Sequence, residues 1–213
     1  MAQLRALGAR SVPIVSRGGE YVFAQVISDV VNFLELDEET GPVLSPEALT
    51  ARLSKNLAAA IRFVRQMPDT ELERELPNRP RSWRVLMHHV FQIPVAFLEF
   101  EESGRVMEYQ NLVAPPPQGM VTSESIAVFG ETVLARFDNW SARVAGESFS
   151  HNVPTYFGET SRHELLERTV WHSTQHTRQV ASLLEQAGVE ADRPLGPADI
   201  EGLPLTDTIW DEG

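Results

Sequence analysis

Residues 161–188 read SRHELLERTVWHSTQHTRQVASLLEQAG, and how this stretch folds decides how the chain is organised. Ser161 and Glu164 have the spacing of a capping box, Leu165 opens an apolar face, and Gly188 supplies a stop. Turning each residue by about 100° puts His172 and His176 about 40° apart, with Leu165, Val180, Leu183 and Ala187 within about 80° of His172. Both imidazoles therefore lie in the apolar stripe of a long amphipathic helix that faces an interior. Burying two polar rings without partners costs a few kcal/mol, so something inside must satisfy them.

Working backwards along the chain, three more segments carry helical spacing. Ser45, Pro46 and Glu47 give a cap, a proline at the first helical position and an early acid, and Leu49, Leu53, Leu57, Ala60, Ile61 and Val64 follow at helix spacing. A second helix is predicted from about Ser82 to Ser103. Its Pro94 removes the hydrogen bond to the Val90 carbonyl and should bend it. A third runs from about Thr122 to Ala145. Residues 104–120, with Ala-Pro-Pro-Pro, and HNVPTYFGE before the last helix read as connections. Four long amphipathic helices make a mainly α four-helix bundle over residues 46–188 the economical architecture.

Residues 1–37 differ. SVPIVSRG and GEYVFAQ are short β-rich runs around Arg17, Gly18, Gly19 and Glu20, and VISDVVNFLEL then reads as a helix, so a small N-terminal β-hairpin plus helix is predicted. Residues 38–45 are an acidic linker, and residues 189–213 an irregular tail with one large anchor, Trp210.

Composition narrows the function. Net charge is −12, from 30 acidic and 18 basic residues, so binding to nucleic acid or an anionic membrane has no electrostatic basis. No apolar run of about 18 residues and no charged n-region before an apolar h-region is present, which predicts neither a spanning helix nor a secretory leader, and a cytoplasmic location. The chain has no cysteine. Any thiol in its chemistry must arrive with a ligand.

The second helix supplies a third inward histidine. His89 shares a face with Leu86, Ile93, Ala96 and Phe100, whereas His88 points about 100° away. A lone inward histidine is ordinarily a hydrogen-bonded core residue, but an i,i+4 pair with a third ring on another helix points to a metal site. His89, His172 and His176 suit zinc first, and also nickel, iron or manganese. A zincin peptidase is excluded because HSTQH lacks the glutamate of H-E-x-x-H, and a ferritin-like di-iron site because Thr169 and Ser173 stand where Glu-x-x-His needs acids. Gln179, about 20° from His172, is placed to support a ligand or a metal-bound water. Arg79, Arg81 and Arg84 cluster near the start of the second helix, within reach of a substrate carboxylate or as solvated charge. His151 and His163 read as surface residues.

RSWRVLMHHV on the second helix and WHSTQHTRQVASLLEQAG on the fourth resemble the DinB/YfiT-like superfamily of metal-binding four-helix bundles. The resemblance implies three histidines holding a divalent metal. In several relatives it also implies a thiol S-transferase or thiol-dependent isomerase, the metal binding the thiol sulfur and lowering its pKa. LGARSVPIVSRGGEYVFAQVISDVVNFLEL is similar to the C-terminal half of a glutaredoxin, without the half that bears the catalytic cysteine. That likeness implies glutathione contacts at Val12 and Pro13, and a hairpin that packs on the bundle or pairs across a homodimer. Three functions follow. One is a metal-dependent enzyme using glutathione or a similar thiol on a small electrophile. Another is a non-catalytic metal-binding or stress-response protein. The last is a plain bundle whose histidines satisfy one another.

Overall fold

The computed structural model describes residues 14–24, 27–37, 40–76 and 80–210. At the N-terminal end β1 (Ile14–Arg17) pairs antiparallel with β2 (Glu20–Phe23), in a register that sets Ile14 opposite Phe23 and Arg17 opposite Glu20. Gly18, with φ at +64°, takes the left-handed conformation that the tight turn requires. Helix α1 (Ile27–Leu34) follows and packs on β2, with Val30 buried.

The bundle begins at α2 (Pro46–Gln66). The Ser45 hydroxyl accepts from the Ala48 N–H, and Leu49, Leu53, Leu57, Ala60, Ile61 and Val64 are buried along one stripe. A 3₁₀ turn (Asp69–Glu71) leads to α3 (Trp83–Ser103), capped by Ser82 and ended by Gly104 at φ +65°. The short α4 (Tyr109–Leu112) interrupts what the sequence suggests is a plain connection. Helix α5 (Ser123–Arg143) starts at a Thr122 cap, and α6 (Arg162–Gln186) at the capping box of Ser161 and Glu164. The last helix, α7 (Pro197–Ile200), lies in the C-terminal tail.

Pair contacts fix the topology. Ser54 meets Asp138 and Arg65 meets Glu124, so α2 and α5 are antiparallel. Arg162 reaches Glu101, and Ser173 reaches Val90, so α3 and α6 are antiparallel as well. Asn56 bonds to Ser173, while His163 bonds to Leu44 just before α2, so α2 and α6 run the same way. The four long helices are therefore up-down-down-up, with α2 and α3 each packed against both α5 and α6.

Large apolar side chains fill the centre: Phe63, Trp83, Phe91, Phe97, Phe137 and Trp140 are all but fully buried, each contributing roughly 1.5–3 kcal/mol or more by leaving water. Helix α3 is buried on nearly every side over residues 86–98, which places His88 inside too, its ring stacked on Phe129 at 5.1 Å. Its pKa is pushed down to about 4, by burial first and by Arg84 second. His163, read from sequence as a surface residue, is half-buried, and its Nε2 lies 2.8 Å from the Leu44 carbonyl oxygen. His151 is exposed.

The segment before α6 is not a plain loop. β3 (Asn152–Thr155) and β4 (Gly158–Ser161) form a second antiparallel hairpin, turning at Tyr156 and Phe157. Its strands are too short and too polar for an alternating pattern to reveal them. Among the described residues no helix is long and apolar enough to cross a membrane.

Candidate metal centre

Antiparallel packing of α3 on α6 carries His89 to the level of His172 and His176. The ring centroids are 5.4 Å apart for His89 and His172, 5.0 Å for His89 and His176, and 4.9 Å for His172 and His176. One nitrogen from each ring lies within 4.8 Å of the other two. Nitrogens about 2.0–2.1 Å from a single tetrahedral ion stand ~3.4 Å apart, so small ring rotations close this set on a metal.

One of the rings is oriented by an acceptor in the chain. The Gln179 Nε2 donates to the Ile209 carbonyl at 3.0 Å, which leaves Oε1 as the atom facing His176 Nδ1 at 2.7 Å. An amide oxygen can only accept, so Nδ1 carries the proton and the lone pair of His176 is on Nε2. The His176 arrangement is the kind of hydrogen bond that fixes tautomer and aim in a metal-ligating histidine. Leu112, at the end of α4, interacts with the His89 ring through its backbone and raises the ring's pKa against the effect of burial.

Protonation state suits ligation as well. Burial, then the charges of His176, Arg81 and His88, push the His89 pKa down to about 3. Burial, then His176, His89, Arg168 and Arg81, hold His172 well below its ordinary value. Both rings are neutral near pH 7, the form that offers a lone pair to a cation. His172 keeps part of its surface open to solvent.

The predicted residues fare differently from one another. His89, His172 and His176 are brought together, and Gln179 supports His176 rather than pointing at a substrate. Arg84 pairs with Glu73 at 2.7 Å and donates to the Met120 carbonyl, whereas the charge of Arg81 acts on His89 and His172. Arg178 ties down the tail, donating to the Thr206 and Asp207 carbonyls. Glu159 is exposed on β4. Val12, Pro13 and Arg79 lie outside the described residues. Sequence reasoning misses the backbone contacts of Leu112 and Ile209, because a backbone group has no residue-type signature.

A bundle of this topology with three convergent imidazoles defines a helical protein built around a histidine cluster of metal-ligand geometry. The DinB family profile matches residues 47–200, and the chain belongs to the DinB family. No curated protein matches it.

Proposed function

We propose that His89, His172 and His176 hold a divalent transition metal, with zinc the first choice, and that the protein is a metal-dependent enzyme joining a low-molecular-weight thiol such as glutathione to a small electrophile, or isomerising one. The observation that carries the metal is the convergence of one nitrogen from each of the three rings within 4.8 Å, with His176 held by its hydrogen bond to Gln179. Hydrogen-bonded core histidines would spend their nitrogens on one another instead. When bound, the ion supplies a positive centre that lowers the pKa of a thiol or water brought to it.

The protein's own residues bring the ligands together, keep His89 and His172 neutral, and leave part of the His172 surface exposed. Since the chain has no cysteine, the sulfur comes from a ligand. Apolar side chains left exposed on the N-terminal unit, Phe23, Ile27 and Leu36, support a homodimer joined there, a state that light scattering measures directly.

Two experiments test this reading. Chain purified without chelator is expected to hold about one equivalent of metal by elemental analysis, and His172→Ala well under a tenth of that. Metal-loaded protein is then mixed with glutathione and a chlorodinitrobenzene-type electrophile. Turnover equal in wild type and His172→Ala sinks the enzymatic half and leaves a metal-binding protein without catalysis.

A further inference from the structure

Gln175, Arg178, Gln179 and Ser182 follow one another at three-residue and one-residue steps that keep them on one face of α6. All four hold the C-terminal tail. The Arg178 guanidinium donates to the Thr206 and Asp207 carbonyls at 2.9 and 3.4 Å, and the Gln175 amide to the Thr208 and Ile209 carbonyls at 3.2 and 2.9 Å. The Gln179 amide donates to Ile209 as well, at 3.0 Å. Four successive carbonyls are thus engaged, and the half-buried Trp210 closes the run by donating from Nε1 to the Ser182 hydroxyl at 3.2 Å. Thr206, Asp207, Thr208 and Ile209 themselves stay exposed. The tail therefore lies on α6 through hydrogen bonds and one ring, with little apolar burial behind them.

One of these four side chains also faces the histidines. Gln179 is buried, with Oε1 at 2.7 Å from His176 Nδ1 and Nε2 turned to the tail. The two ends of an amide are nearly the same size, and either can lie against an imidazole nitrogen. Turned about, Nε2 would donate to Nδ1, the ring proton would pass to the other nitrogen, and Oε1 would be set against the Ile209 carbonyl, acceptor against acceptor. The tail carbonyl forbids that orientation.

We infer that residues 206–210 are a positioning part of the metal centre: the Ile209 carbonyl holds the Gln179 amide in the orientation that keeps the proton on His176 Nδ1, and release of the tail weakens metal binding. The inference rests on the metal reading above and names a control on the same site. Gln175, Arg178 and Trp210 touch none of the three rings, and their part is to seat the carbonyl that does the orienting.

Full-length protein carrying Gln175→Ala and Trp210→Ala together, which loosens the tail and leaves Gln179 in place, tests this against wild type. In metal-free samples at about pH 8, where an ordinary histidine is neutral, proton–nitrogen correlation spectra of the imidazole rings read the tautomer. Wild-type His176 is expected as the Nδ1–H form, and the variant as a mixture with the Nε2–H form. Zinc affinity in competition with a chromophoric chelator should fall about ten-fold in the variant, with the circular dichroism spectrum unchanged. The same two changes made in Gln179→Leu protein should cost less than about two-fold, because the amide through which the tail acts is gone. Trp210→Phe, which keeps a ring, should retain most of the affinity, and Trp210→Ala alone provides the comparison if the double variant does not fold. An unchanged His176 tautomer, or an equal loss of zinc affinity in both backgrounds, overturns the tail's role and leaves the metal reading standing. Wild-type protein that takes up no zinc, nickel or cobalt overturns the metal reading and, with it, the tail's part in the site.

Discussion

The Ser173 hydroxyl, on α6, donates at 3.1 Å to the Val90 carbonyl on α3, the acceptor that Pro94 leaves without its usual N–H partner four residues on. The same hydroxyl accepts from Asn56 Nδ2 at 3.0 Å, so a proline inside one helix becomes the joint of three. This joint sits beside both His172 and His89, which directly precede Ser173 and Val90, where ring positions matter most. Removing the hydroxyl leaves a buried carbonyl and a buried amide without partners. Ser173→Ala is expected to cost about 1–3 kcal/mol in urea unfolding. In a Pro94→Ala background, where residue 94 can donate to Val90 itself, the same change should cost less by about 0.5 kcal/mol or more. Equal costs in the two backgrounds would break the link.

Gln179→Leu keeps the size of the side chain and removes the acceptor that fixes the His176 tautomer. Metal affinity is expected to fall about 10–100-fold in competition with a chromophoric chelator, with the circular dichroism spectrum unchanged. Unaltered affinity would mean that His176 is aimed by packing alone.

The fold was legible because its signals are local. Caps at Ser45, Ser82, Thr122 and Ser161 and the leucine spacing of α2 mark four helices with no knowledge of their neighbours. The three histidines were legible for the same reason, since helix faces follow from counting residues. What counting misses is made by the tertiary fold. The β3–β4 hairpin is held by backbone pairing in a polar stretch, and the backbone of Leu112 and the orienting carbonyl of Ile209 belong to connections whose course no residue type announces. His88 shows the limit from the other side, for a helix buried all round has no outward face to which a polar residue can turn.

Gly130 on α5 is where Phe91 of α3 comes nearest. A Cβ added there would stand 2.6 Å from Phe91 Cζ and 3.0 Å from Ile61 Cγ1, and neither ring nor branched chain has room to yield in the packed core. Gly130→Ala should therefore cost about 1–3 kcal/mol, although alanine is the better helix former. A neutral or stabilising result by thermal melting would show that α3 and α5 can separate.

Arg162 and Glu101 form an ion pair whose side chains are 8% and 5% exposed, at 2.6 Å, with Trp140 Nε1 donating to the same carboxylate at 3.0 Å. Removing the cation strands a buried charge. Arg162→Leu is expected to destabilise by about 3–5 kcal/mol, and Glu101→Gln added to it should recover part of that loss in denaturant titration. Failure of the second change to recover anything would assign the cost to lost packing of Arg162 over Phe149, where its Cζ lies 4.0 Å from the ring.

Glu167 offers a test in pH. Burial, and then the like charge of Glu164, raise its pKa, against a smaller opposing effect from a Val43 backbone hydrogen bond. A carboxyl whose folded pKa is raised favours the fold in its protonated form. That contribution is fully present below the ordinary carboxyl value of about 4.3 and is lost as pH rises through the raised folded value. At pH 7 the ionised group therefore weighs against the fold. Glu167→Gln, which keeps an acceptor for Val43, is expected to raise Tm at pH 7 by about 1–3 °C. The gain should shrink towards nothing as pH falls to about 4, where the wild-type side chain is itself neutral. A gain of equal size at both pH values would trace the effect to shape or hydrogen bonding, not to charge.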